Sequence, residues 1–174
     1  LGSGYWMGKE LILNLSFSRN FEQDEGEFNE LLDMTLEHYS VNELNIALDE
    51  IMITDDKYTQ VASIAKPLLN LAKKGNEIAL SIVQQSSQYA VDYILSLLDQ
   101  VSFKDGELLI IANGGIIRDE FYRSSLVDAL SFDYNNIKWL FPMISSAYYP
   151  GLLSCKILGI DITVEDILKE NPIE

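Results

Sequence analysis

The stretch ELLIIANGGII, residues 107–117, decides the fold class that this sequence predicts. A short apolar run ends in the paired glycines Gly114 and Gly115, and a helical pattern follows over 117–130, so the segment predicts a strand, a tight turn and a helix. A second apolar run, IKWLFP (137–142), precedes another helical pattern over 147–159. This order, with short links, predicts two parallel strands joined by a right-handed crossover.

The rest of the chain reads as helices. After a turn at the GSG opening, which leads into a helix, apolar residues recur at helical spacing over 28–38, 41–50, 57–73 and 76–101. The acidic stretch 19–30 predicts a surface connection with Gly26 as a helix breaker, and Pro67 must kink or divide its helix. Thr163 and Asp166 have capping-box spacing before a last short helix. The predicted class is α/β, mostly helical, with a short parallel sheet covered by helices.

Composition and charge restrict the partners that we expect. Among 174 residues, 27 Asp and Glu stand against 12 Lys and Arg, giving a net charge of -15. No basic stripe is available for a nucleic acid, and anionic membrane surfaces would repel the chain. Cys155 is the only cysteine, no apolar run reaches membrane-spanning length, and no secretion signal is present. We therefore expect a cytoplasmic protein with neither nucleic acid nor membrane as partner.

The individual reactive residues give little support to a catalytic or metal site. His38, the sole histidine, is interpreted as a surface or capping residue, and Cys155 as a small buried apolar residue. No Ser-His-Asp triad or zinc ligand set can be assembled. One acidic cluster lacks the spacing of a calcium loop and reads as a solvated face: Glu22, Asp24, Glu25 and Glu27.

The glycine segments have two interpretations each. At Gly114 and Gly115 a turn without side chains lets a ligand approach backbone N–H groups, yet many such turns use glycine only for geometry. The full G-x-G-x-x-G pattern is absent, so a dinucleotide site is not predicted. The segment 2–4 could contact a ligand or be a remnant of cloning.

Four segments together resemble the family of N-acetylglucosamine kinases and BadF/BcrA-type ATPases. GSGYWMGKEL (2–11) resembles the segment that follows the family's Asp-Glu pair, and VASIAKPLLNLAKKGNEIALSIV (61–83) resembles its two-helix stretch. LLIIANGGII (108–117) is similar to its adenosine-motif strand and glycine turn, and PGLLSCKILG (150–159) to its closing helix. The segments occur in the family's order along nearly the whole chain.

The resemblance implies an actin-like, ribonuclease H-like ATPase fold. Residues 1–174 would be the C-terminal domain of a two-domain sugar kinase or ATPase whose N-terminal domain is absent from this chain. ATP and Mg²⁺ would be the cofactors and N-acetylglucosamine or a related sugar the substrate, with the catalytic residues upstream. The isolated chain would then be inactive and have no catalytic or metal-binding residue of its own, and its exposed sheet edge predicts a homodimer.

The resemblance also implies roles for individual residues. Gly114 and Gly115 would lie beside the adenine and ribose, and Ala62 would line the other side of the nucleotide pocket. Gly2, Ser3 and Gly4 would lie near the sugar and the interdomain cleft. The resemblance also implies two packing roles. Tyr5 and Trp6 would anchor the first helix in the core, and Gly151 would begin the last helix of the family pattern.

Two other functions stay open. The chain could belong to a BadF-type ATPase that activates a 2-hydroxyacyl-CoA dehydratase through an iron-sulfur cluster, although Cys155 alone cannot hold such a cluster. It could also be a non-catalytic module that retains the fold. The sequence departs from the family pattern at several positions, which leaves the sugar undefined: Leu1, Leu152, Leu153 and Ser154.

Overall fold

A computed structural model describes residues 2–17, 25–100, 107–131, 134, 136–144 and 148–170. In these ranges the chain forms nine α-helices, two β-strands and a 3₁₀ helix at Ile116–Arg118. The helices are α1 (Gly4–Phe17), α2 (Glu25–Tyr39), α3 (Leu44–Ile53), α4 (Lys57–Ser63), α5 (Ala65–Lys73), α6 (Glu77–Leu98), α7 (Glu120–Leu130), α8 (Tyr149–Ile157) and α9 (Val164–Glu170). The strands are β1 (Glu107–Ile111) and β2 (Asn136–Leu140).

The two strands form a parallel sheet that α7 connects. The register pairs Leu108 with Ile137 and Ile111 with Leu140. This confirms the predicted strand-helix-strand-helix order and the mostly helical α/β class. The expectation that helices cover the sheet is met on one face only, because Ile111 on the other face is 70% exposed. Leu109 and Leu140 share that open face.

The core lies between helices. α1 packs against α4, α5 and α6, and its residues Met7, Leu11 and Leu15 are buried at the four-residue spacing that places side chains on one helix face. Leu68 of α5 and Val83 of α6 are buried against them. Each such side chain contributes roughly 1.5–3 kcal/mol by its burial. The apolar face of α1 is therefore a major source of stability.

Pro67 divides the helix that the sequence predicts over 57–73. The ring of a proline clashes with the carbonyl four residues earlier and offers it no N–H, and here that carbonyl belongs to Ser63. The helix accordingly ends at Ser63, and a new one begins at Ala65. The break leaves Ser63 exposed at a helix end.

The predicted connection over 19–30 is wrong for its second half, because α2 already includes Gly26. Contacts with α6 stabilise this first turn: Asn76 donates from Nδ2 to the carbonyl oxygen of Glu27 at 2.9 Å, and the Glu27 carboxylate accepts from the backbone N–H of Glu77 at 3.2 Å. Tertiary hydrogen bonds thus outweigh the low helix propensity of glycine.

The C-terminal region confirms one prediction and corrects another. Thr163 and Asp166 form a reciprocal capping box, with Thr163 N–H donating to the Asp166 carboxylate at 3.0 Å and Asp166 N–H donating to Thr163 Oγ1 at 3.3 Å. α8 has no buried residue, so Cys155 is partly exposed and not the buried residue expected. In the described part of the chain, no helix has the length and apolarity needed to cross a membrane.

Candidate functional site

A cleft of about 420 Å³ lies between the α4–α5 junction and the turn that follows β1. It brings together Ala62 and Gly115, two of the three residues predicted to bind a nucleotide; Gly114, the third, is adjacent in the chain but is not among its lining residues. The size falls in the usual range of small-molecule sites. The lining consists of Ala62, Ser63, Ala65, Lys66, Leu69, Gly115, Ile116, Arg118 and Asp119.

The two glycines of the turn differ in backbone conformation. Gly114 has φ +127°, a conformation that L side chains rarely adopt, so the turn itself requires glycine there. Gly115 has an ordinary φ of -69°, and a Cβ atom would meet nothing within 4 Å. The fold therefore leaves Gly115 free to vary, and the open space in front of its backbone is available to a ligand.

Basic side chains lie along one side of the cleft. The side chain of Lys66 is exposed, and its ammonium group forms no hydrogen bond or ion pair with another described residue. Arg118 is held at the rim, since it donates to the carbonyl oxygen of Pro142 at 3.0 Å and lies 5.3 Å from the centre of the Phe141 ring. In a chain of net charge -15, this local concentration of positive charge favours an anionic ligand.

Among the described residues that line the cleft, only Asp119 carries a carboxylate, and this group has a structural role. It caps α7 by accepting from the N–H groups of Phe121 at 3.0 Å and Tyr122 at 3.4 Å, and it accepts from Lys73 Nζ at 2.7 Å. Partial burial acts to raise the pKa of Asp119, but the hydrogen bond and charge of Lys73 and the two backbone donors hold this pKa below its ordinary value. With its oxygens engaged, Asp119 is poorly suited to act as a base.

The residues predicted near the sugar have packing and capping contacts. Ser3 Oγ accepts from the N–H of Trp6 at 3.2 Å and so caps α1. The carbonyl oxygen of Gly2 accepts a hydrogen bond from Tyr122 Oη at 3.1 Å. Gly4 lies behind the cleft wall, where a Cβ atom would come within 3.3 Å of the Ala62 carbonyl oxygen. None of these three residues lines the cleft, and their role near a sugar stays a prediction.

The aromatic residues of α1 meet different surroundings. Trp6 is buried, as expected for a core anchor, and packs edge-on against Tyr89 with 5.2 Å between ring centres. Tyr5 is 39% exposed and contacts Tyr58, so its expected place in the core is wrong. Tyr5 therefore lies on the side of α1 that faces Tyr58 and solvent, whereas Trp6 faces the core.

The sequence did not predict a contact between His38 and Ser63. His38, interpreted as a surface or capping residue, is half-buried at the end of α2, and its Nε2 lies 2.7 Å from Ser63 Oγ. The two residues are distant in sequence and meet only where the C-terminal end of α2 contacts the C-terminal end of α4. The one signal that could have drawn attention to Ser63 is Pro67, which ends a helix at that residue.

Over the described ranges, no group of three or more His, Cys, Asp or Glu side chains could hold a metal ion. Glu22 and Asp24 of the predicted acidic cluster lie outside those ranges.

No family model matches the chain, and no curated protein matches it significantly.

Proposed function

We propose that this chain is the C-terminal, adenosine-binding half of an ATP-dependent sugar kinase that acts on N-acetylglucosamine or a related hexose or amino sugar. The observation that carries the proposal is the cleft, in which Ala62 from one helix and Gly115 from a distant turn line one cavity. Both were assigned to the nucleotide from the resemblance alone. Their joint presence in one cavity is what an adenosine site needs.

The chemistry of the lining suits an adenine nucleotide. Ala65, Leu69 and Ile116 supply an apolar surface for a flat base, and Gly115 lets the ligand approach the backbone. Lys66 and Arg118 supply positive charge for phosphates. Such a pocket, mostly apolar with a few placed polar groups, is the usual design of a cofactor site.

Phosphoryl transfer is assigned to residues outside this chain. Mg²⁺ would need oxygen ligands, and Asp119, which carries the only carboxylate among the described residues that line the cleft, is engaged by Lys73 and the start of α7. We therefore assign no magnesium ligand and no catalytic residue here. An extended protein with a ribonuclease H-like N-terminal half would supply both and work in the cytoplasm. A BadF-type activator has less support, because Cys155 is the only cysteine that this chain could offer a cluster.

Nucleotide binding can be tested on the chain by ¹⁵N NMR, which detects binding even at millimolar Kd, or about -4 kcal/mol. We expect saturable shifts at Gly114 and Gly115 and at residues 62–66 on titration with ATP. Gly115→Val should weaken binding at least about tenfold, the effect of roughly 1.4 kcal/mol. Gly151→Val, at a glycine that also has open space around it but lies on α8, is the matched control.

Two results would count against the proposal, each at a different level. If ATP causes no saturable shift, the assignment of the cleft as an adenosine site fails. If the cleft binds ATP but a protein extended upstream phosphorylates no member of a hexose and amino-sugar panel, the kinase assignment fails and the chain is a nucleotide-binding module.

A further inference from the structure

A second cavity, of about 400 Å³, lies between α2, α3 and α4 and shares only Ser63 with the cleft. Polar side chains from all three helices converge on it. His38 and Tyr39 come from α2, Glu50 from α3, and Gln60 from α4. Ile51 adds a buried apolar contact. Nothing in the proposed kinase function uses this cavity.

The hydrogen bonds around Ser63 permit its proton to point at the histidine. Ser63 Oγ lies 2.7 Å from His38 Nε2 and 2.7 Å from the carbonyl oxygen of Gln60. A hydroxyl has one proton and can donate to only one of these acceptors at a time. Tyr39 Oη already donates to the Gln60 carbonyl oxygen at 3.0 Å. The carbonyl therefore stays bonded when Ser63 donates to His38.

The histidine is suited to accept that proton. Its ring packs edge-on against Tyr39, with 4.8 Å between ring centres, which limits its rotation. Partial burial lowers the pKa of His38 below its ordinary value, so the imidazole is neutral at physiological pH. A neutral imidazole within hydrogen-bond distance of an exposed serine hydroxyl is the arrangement that activates a serine nucleophile.

We propose that Ser63 is a nucleophile activated by His38 and that this cavity hydrolyses small esters. The carboxylate of Glu50 lines the cavity and has no partner among the described residues, and none of the described lining residues is Lys or Arg. An anionic substrate would meet an unpaired carboxylate, so the substrate is an uncharged or cationic ester. The cavity volume suits a short acyl chain.

The reaction needs only the ester and water. Ser63 Oγ bonds to the carbonyl carbon as its proton passes to His38 Nε2, and the tetrahedral intermediate expels the alcohol, which takes the proton back from His38. Water, deprotonated by His38, then attacks the acyl group on Ser63 and releases the carboxylic acid. The proton returns to Ser63, and the sum is ester plus water giving acid plus alcohol.

A fluorophosphonate probe applied to the full chain tests the proposal, because it reacts with activated serines and its adduct can be located by peptide mass spectrometry. We expect labelling at Ser63, its loss in Ser63→Ala, and a rate at least about 100-fold lower in His38→Gln, the usual contribution of a general base. Ser124 is the internal control: it is exposed and bonds a backbone carbonyl at 2.8 Å, as Ser63 does, but it has no histidine partner.

Hydrolysis of p-nitrophenyl acetate should follow the same order among the variants, with Ser124→Ala equal to the unmodified chain. The proposal is overturned if the unmodified, folded chain labels Ser63 no faster than Ser124, which requires no variant to fold. It is also overturned if labelling at Ser63 is unchanged in a His38→Gln variant that retains the native thermal unfolding transition.

Discussion

Gly8 of α1 lies directly against the backbone carbonyl of Val61 on α4, so closely that a Cβ atom at position 8 would overlap this oxygen. Gly4, one turn earlier on the same face, lies less tightly, because a Cβ atom there would be 3.3 Å from the carbonyl oxygen of Ala62. The two glycines therefore let α1 and α4 pack with their backbones in contact. This contact forms the wall that carries Ala62 and Ser63.

Gly8→Ala should destabilise the chain by about 1–3 kcal/mol, the usual cost of inserting a methyl group where there is no room. The offending atom belongs to the backbone, which cannot rotate away as a side chain could. Urea unfolding followed by circular dichroism measures the change. The control is Gly151→Ala on α8, where a Cβ atom meets nothing within 4 Å and alanine should be neutral or stabilising by up to about 1 kcal/mol. Equal effects at both positions would contradict the packing role of Gly8.

The contact between α1 and α4 could not be predicted from the sequence of the N-terminal segment. The spacing of Gly4 and Gly8, four residues apart, is that of two residues on one helix face, but it does not say which element packs there. The strands, by contrast, could be predicted, because their apolar runs and the glycines after β1 act locally. The contact of His38 with Ser63 could not be predicted, since both residues look ordinary until the fold brings the ends of α2 and α4 together.

Asp119 offers a test that separates a helix cap from an ion pair. Asp119→Ala removes both and should lower the free energy of unfolding by about 1–2 kcal/mol, whereas Asp119→Asn keeps a good N-cap and loses only the pair with Lys73. Lys73 is 37% exposed, so the pair should contribute less than about 1 kcal/mol. Thermal or urea unfolding at neutral pH measures both. An asparagine variant as unstable as the alanine variant would show that the ion pair, and not the cap, dominates.

The same carboxylate predicts a loss of stability in acid. The pKa of Asp119 is lowered in the folded chain, so the unfolded state binds more protons wherever the two states differ. Its contribution is complete above the ordinary value of 3.8 and is lost as the pH falls through the folded pKa. The stability difference between the unmodified chain and Asp119→Asn should therefore shrink on acidification. A difference that is constant from neutral pH to below 3.8 would contradict the lowered pKa.

The open face of the sheet predicts that the chain associates with itself. Leu109, Ile111 and Leu140 are 51%, 70% and 50% exposed on this face, and parallel sheets are normally covered on both sides. Light scattering at high concentration should show a dimer, and Ile111→Lys should shift it toward the monomer. Ile53→Lys is the control, since it adds the same charge at a residue 83% exposed on α3. A monodisperse monomer at every concentration would contradict the prediction.

The sole histidine allows a direct titration of the second cavity. Burial lowers the pKa of His38, so its ring resonances in proton NMR should titrate with a midpoint below 6.5, although the Glu50 carboxylate in the same cavity favours the charged form. Tyr39, the other titratable group lining the cavity, is neutral in this range because burial raises its pKa.

The sign of the accompanying stability change follows from proton binding. Between the lowered pKa and 6.5 the unfolded chain binds more protons than the folded one, so stability rises with pH through this window and is complete above it. His38→Gln should remove this rise while leaving the acid-induced loss at Asp119 in place. A midpoint at or above 6.5 would mean that Glu50 outweighs burial. A midpoint well above about 7 would leave the imidazole largely protonated at neutral pH, and it could not then accept the proton of Ser63.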